Sequence, residues 1–200
     1  MTNLCVIPAR GNSKRIPLKN IKEFYGKPII AYSIEAAIKA RLFDRVVVST
    51  DSKEIAEVAA KYGAEILIRP DALADDITGT FDVVRHALAC YSAEYYKYIC
   101  CIYATAPMIS VEDIIDGYHY INVPSHDIDH VVSIGYPNLR DAAQFYWSYA
   151  QAVWDNDTYF SRDAVTQCIK IDARRVMDIN TLDDWSKAEQ MYAELTNERA

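Results

Sequence analysis

Four times along this chain a short apolar run, usually rich in β-branched residues, gives way to a segment with helical periodicity, and that alternation limits the fold more than any other feature. Residues 4–8 read as a buried strand, and residues 28–42 as a helix opened by Pro28, with Ile30, Ile34, Ala37 and Ile38 on one face. Residues 45–50, RVVVST, form the second strand, followed by a helix over 51–63 that is capped by Asp51 or Ser52 and ends at Gly63. The third unit pairs residues 64–68 with a helix over 80–95. The fourth pairs residues 98–104 with a Ser110-capped helix over 110–120. Residues 130–135, 144–149 and 175–179 are further strand candidates, before a closing helix over 181–195. Strands that alternate with helices predict an α/β fold of three layers, a mostly parallel sheet with helices on both faces. In such folds a ligand sits beyond the carboxyl ends of the strands, so the loop after the first strand is expected in the site.

At 200 residues the chain suits one domain over 1–200 with one core, and neither a linker nor an internal repeat interrupts it. The first apolar run, residues 4–7, is too short for a signal peptide or a membrane span, so a cytoplasmic protein is expected. Cys5, Cys90, Cys100, Cys101 and Cys168 show no C-x-x-C pair and no metal-ligand spacing, and are expected to be buried thiols. A net charge of −7 argues against nucleic acid or an anionic membrane as a general partner. Any anion must be met locally.

The place to meet one is IPARGNSKRIPLKN, residues 7–20. Between Arg10 and Lys22 lie five basic residues, Arg10, Lys14, Arg15, Lys19 and Lys22, and no acidic one. The loop leaves a buried strand directly, Gly11 permits close backbone approach, and Ser13 and Asn20 add uncharged donors, which together describe a phosphate cradle. A solvated basic loop is the plain alternative. The segment is not a Walker A loop, since G-x-x-x-x-G-K-S/T is missing, and no G-x-G-x-x-G follows the strand.

The same segment resembles the nucleotide-binding signature of the CMP-sugar-acid synthetases, the cytidylyltransferases that activate sialic acids and related nonulosonates. GKPIIAYSIEAA, DRVVVSTDSKEIAEVAAKYGAE, RPDALADDITGT, CIYATAP, DAAQFYW and DINTLDDWSKAEQMY resemble further family blocks in family order. IYATAP, TGT and QFYW are most similar to the branch whose sugar acid is pseudaminic acid. The resemblance implies a Rossmann-like nucleotidyltransferase fold and attack of the sugar's anomeric hydroxyl on the α-phosphorus of CTP, with release of pyrophosphate. It implies that Arg10, Gly11, Asn12, Ser13, Lys14, Lys19 and Asn20 hold the triphosphate, and that Arg69, Asp76, Thr78 and Thr80 hold the nucleoside. Arg10, Lys19 and Asp178 are the implied catalytic residues, with Lys19 facing developing charge. Arg15 and Lys22 are equally compatible with solvation, and Thr80 with a helix N-cap.

Magnesium is the implied cofactor, because adjacent phosphates crowd negative charge that a hard cation on carboxylate ligands relieves. Asp178 and Asn180 are the candidate ligands. The family pattern here is Asp-x-Asp, whereas this chain has Asp178-Ile179-Asn180, and Asn180 is also a plausible cap for the last helix. By family position Tyr103, Thr105 and Ala106 border the sugar and Gln144 contacts the sugar or the nucleotide, while Phe145, Tyr146 and Trp147 suit core positions of a half-buried strand. His86, His119, His126 and His130 form no triad or zinc set.

One departure concerns the segment between VVSIGYP and DAAQFYW. Relatives have a few tens of residues there, which bind the sugar carboxylate and reach across a homodimer; here only Asn138, Leu139 and Arg140 intervene. That puts sugar binding and dimerisation in question, although a lone Arg140 can still make a bidentate carboxylate contact. The alternatives are synthetases for N-acetylneuraminate or 3-deoxy-manno-octulosonate, a silent CTP-binding remnant, and an α/β domain whose basic loop is solvated.

Overall fold

The computed structural model describes residues 2–75, 77–123 and 127–198. In chain order its strands are β1 (Asn3–Pro8), β2 (Glu23–Phe24), β3 (Lys27–Pro28), β4 (Arg45–Thr50), β5 (Glu65–Ile68), β6 (Tyr98–Ile102), β7 (His130–Tyr136), β8 (Arg140–Tyr149) and β9 (Thr166–Asp172). Its helices are α1 (Ile29–Ala40), α2 (Lys53–Lys61), α3 (Thr80–Cys90), α4 (Val111–Ile121), α5 (Ala150–Asp155) and α6 (Leu182–Asn197). Strands β2 and β3 form a small ribbon; the others form one sheet in the order β5-β4-β1-β6-β8-β7-β9. All its pairs are parallel except those of β8, which runs antiparallel to both β6 and β7. The expected mixed, three-layer α/β fold is therefore present.

Both faces of the sheet are covered. Ile30 and Ile34 of α1, Ile55 of α2 and Ile114 of α4 pack with Cys5, Ile7 and Trp147 on one face, and Phe81, Val84 and Leu88 of α3 pack with Leu4, Val6 and Tyr146 on the other. Double burial explains why Phe145, Tyr146 and Trp147 are all inside, where a half-buried strand would expose the middle ring. Gly117 lets α4 approach β8, since a Cβ there would lie 2.6 Å from Cδ1 of Trp147. A third cluster, with Ile16, Phe24, Tyr32, Ile179 and Trp185, docks α6 against the ribbon and α1. This brings the chain just before α6 back to the loop after β1.

Several boundaries differ from expectation. Residues 175–179 are not a strand: Asp172 accepts from the backbone N–H of Arg174 at 2.9 Å and starts a 3-10 turn over Ala173–Arg175. The strand is instead β9, whose sparse burial as a sheet edge kept its apolar signal weak. Helix α3 ends at Cys90 because Ser92 takes a positive φ of 63°, and its N-cap is Gly79, with Thr80 as first residue. The cap of α6 is Thr181, which forms a capping box with Asp184, so Asn180 lies outside the helix. Cys90 and Cys168 are exposed, against the expectation of buried thiols; the other three cysteines are buried. The join of β7 to β8 is a tight hairpin closed by a 2.7 Å bond from the Leu139 N–H to the Gly135 carbonyl. Among the described residues no helix is long and apolar enough to cross a membrane.

Candidate active site

The loop after β1 is held at three successive residues before it reaches the crevice. The Ala9 N–H donates to the Ser49 carbonyl at 2.9 Å, the buried Asn20 amide donates to the Arg10 carbonyl at 2.9 Å, and the Gly11 N–H donates to Asp51 Oδ1 at 2.9 Å. Gly11 is required by space, because an added Cβ would lie 2.8 Å from Cβ of Ser52. The Arg10 guanidinium reaches across to the Asp75 carbonyl at 2.9 Å. The loop is a fixed wall.

That wall encloses a cavity of about 660 Å³ beyond the carboxyl ends of the central strands. Arg10, Lys14, Arg15, Lys19 and Arg69 line it, and among the described residues no carboxylate does. Ser13 and Asn20 line it from the same loop. Thr78, Gly79 and Thr80 do so from the start of α3, where uncapped backbone N–H groups and the helix dipole favour an anion. Tyr103 and Thr105 follow β6, and Asn180 closes the side next to α6. Gly11 sits behind the loop, Asn12 is exposed, and Asp76 lies outside the described residues.

Lys19 is half-buried and donates to the Ile179 carbonyl at 2.7 Å. Burial pulls its pKa below the usual lysine value, and the Asp178 carboxylate works against that fall. Asp178 itself is exposed and lines neither cavity; its Oδ2 accepts from the Asn180 amide at 2.6 Å. The Asn180 oxygen accepts from Arg15 at 2.8 Å. Arg69 is almost fully buried; desolvation lowers its pKa, Asp51 opposes this, and its Nε has no partner among the described residues. An oriented buried donor without an acceptor is suited to a ligand.

A second cavity of about 470 Å³ shares Gly79, Thr80 and Tyr103 with the first. Its other walls include Arg85, Asp141, Tyr146 and Tyr159. The Tyr146 hydroxyl lies 2.8 Å from both oxygens of Asp141, and Tyr146 stacks on Tyr159 with ring centroids 4.3 Å apart. The sequence did not single out Asp141 or Tyr159, which are distant in the chain and belong to no charged cluster. Other expected sugar neighbours are elsewhere: Ala106 is buried, Arg140 is exposed on the hairpin, and Gln144 is buried with its amide donating to the Arg175 carbonyl at 2.5 Å. None of these three lines either cavity.

Comparison with known proteins agrees with this architecture. A family model described as cytidylyltransferase matches residues 4–182. A pseudaminic acid cytidylyltransferase of Campylobacter jejuni subsp. jejuni is 34% identical over 226 residues, covering 96% of this chain and 97% of the relative. Because that alignment exceeds the 200 residues present here, the relative carries residues that have no counterpart in this chain. An N-acylneuraminate cytidylyltransferase of Escherichia coli is 37% identical over 114 residues, 57% of this chain and 27% of the relative. Among solved structures, CMP:2-keto-3-deoxy-manno-octonic acid synthetase complexed with CTP superposes with a TM-score of 0.77 at 14% identity, over 97% of this chain and 99% of the other. At that identity the likeness concerns the fold.

Proposed function

This chain belongs to the cytidylyltransferase family, and we propose that it transfers CMP from CTP to pseudaminic acid, within the wider class of nonulosonic sugar acids. The observation that carries the reading is the cavity lined, among the described residues, by five basic side chains and no carboxylate, in a protein whose net charge is −7. The choice of sugar rests on the 34% identity to pseudaminic acid cytidylyltransferase over nearly the whole of both chains.

In this reading the triphosphate lies along the loop after β1, with Arg10, Ser13, Lys14 and Lys19 on its oxygens and Asn20 bracing the loop from behind. Arg69 and the start of α3 take the nucleoside. The sugar occupies the second cavity, where stacked tyrosines offer flat apolar surface and Asp141 accepts from hydroxyl or amide groups. Tyr103, common to both cavities, stands where the two substrates meet. The anomeric oxygen bonds to the α-phosphorus, the bond from that phosphorus to the bridging oxygen of pyrophosphate breaks, and the hydroxyl proton passes to solvent. Catalysis is positioning and neutralisation of charge, for which Lys19, held by the Ile179 carbonyl, is placed best.

A divalent cation fits this donor set if phosphate completes its shell. Asp178 offers one carboxylate oxygen not engaged by Asn180, Asn180 offers a neutral oxygen shared with Arg15, and the described residues contain no cluster of three His, Cys, Asp or Glu. Such an ion, magnesium or manganese, would neutralise phosphate charge. We place the residues absent relative to the Campylobacter protein at the 136–140 hairpin, so sugar contacts come from β8 and the 157–160 segment.

The test is pyrophosphate release from CTP and a divalent cation with pseudaminate, N-acetylneuraminate and 3-deoxy-manno-octulosonate in parallel. Release with pseudaminate alone is expected. Release with another acid reassigns the sugar, and silence with all three, with CTP still raising the melting temperature, identifies a nucleotide-binding remnant.

A further inference from the structure

We infer that Asp51 is a positioning residue: one carboxylate holds both the loop after β1 and the guanidinium of Arg69, fixing the two sides of the cavity relative to each other. The inference rests on reading that cavity as the CTP site. Asp51 follows β4, lines neither cavity and is 19% exposed at its side chain. Its Oδ1 accepts from the Gly11 N–H at 2.9 Å and lies 3.8 Å from a terminal nitrogen of Arg69.

A carboxylate at the entrance to a helix ordinarily serves as its cap, but here that task is done by Ser52, whose hydroxyl accepts from the Ile55 N–H at 3.3 Å. Asp51 is thereby left for the two groups that face it from other elements. Arg69 needs that counter-charge: its side chain is 4% exposed and Arg10 acts on it as a like charge. The Gly11 N–H finds its acceptor in Asp51 Oδ1, and the loop packs so closely against the start of α2 that a Cβ on Gly11 would lie 2.8 Å from Cβ of Ser52. Loss of Asp51 therefore releases both sides of the cavity together.

The experiment compares wild type, Asp51→Asn and Asp51→Ala in pyrophosphate release, with CTP and the sugar acid varied separately and melting temperatures taken in parallel. Asp51→Ala is expected to raise KM for CTP about tenfold or more, with kcat within about threefold and KM for the sugar acid unchanged. Asp51→Asn keeps an acceptor for Gly11 while losing the charge beside Arg69, so an intermediate rise of about threefold is expected; it also serves as the decisive variant if Asp51→Ala fails to fold. A KM for CTP within twofold of wild type in both variants overturns the inference. So does a loss shared equally by both substrates and tracking melting temperature, which describes a purely structural residue. Wild type that neither binds nor uses CTP overturns the reading of the cavity itself, a result distinct from either.

Discussion

The two cavities that meet at Tyr103 are built in opposite ways. The side we propose for phosphate is one contiguous loop, fixed at Ala9, Arg10 and Gly11 and carrying four of the five described cations that line it. The side we propose for the sugar is assembled from the start of α3, Tyr103 after β6, β8 and residues 157–160, and its described walls are mostly aromatic or acidic. A triphosphate has the same charges whichever sugar accepts its nucleotide, so a short fixed segment suffices. Distinguishing one sugar acid from another requires shape, which in the proposed reading distant residues supply. Lys19 should therefore be the most sensitive position: Lys19→Ala is expected to lower turnover about 10²- to 10³-fold with the fold intact. An active variant, measured by pyrophosphate release, would remove the contrast between the two sides at its strongest point.

Stability should divide along the same line. His130 lies under the sugar side, its Nδ1 2.8 Å from the Ser148 hydroxyl and its ring against Phe81 and Tyr159. Burial pushes its pKa down to about 4, opposed by the neighbouring Asp129. The unfolded chain binds a proton near pH 6.5 that the folded chain refuses until about pH 4, so stability falls as pH drops from about 6.5 towards 4. The expected loss is roughly 2 to 3 kcal/mol. Urea unfolding at pH 7 and pH 5 measures much of it. A His130→Leu variant should flatten that dependence, and an unchanged slope would free the tyrosine wall from any link to His130.

The contrast also explains what the sequence made legible. Contiguous features could be found: the strand and helix of each early unit, and a basic loop whose charge stands out in an acidic chain. The sugar side could not be assembled, because Asp141, Tyr146 and Tyr159 acquire a common surface only when β8 and the segment after α5 are placed beside α3. The same limit hid Asp51, which the sequence left as one of two candidate caps beside Ser52, the residue that fills that place. Strand β9 was lost because an edge strand buries few side chains, whereas residues 175–179 were apolar for another reason, the packing of Ile179 beneath α6. Asp141→Asn tests whether the distant set is truly one surface. It keeps an acceptor near Tyr146 but loses the charge, and should raise KM for the sugar acid about tenfold while KM for CTP stays within twofold. Equal effects on both constants would dissolve the division between the cavities.

The smallest expected effect lies where the chain before α6 closes the first cavity. Asn180 gives its oxygen to Arg15 and its amide to Asp178, so it bridges a cation of the phosphate loop to the carboxylate that we assign to the metal. In Asn180→Asp the amide donor to Asp178 is lost and two carboxylates stand two residues apart. Their repulsion is relieved by a divalent cation, while Arg15 retains an acceptor. The concentration of magnesium or manganese giving half-maximal pyrophosphate release should therefore fall by about threefold. Without added metal, CTP binding should weaken slightly, since the new charge faces the phosphates. A metal titration unchanged by the substitution would take Asn180 out of the metal site and leave it as a brace for Arg15, placing it wholly on the phosphate side.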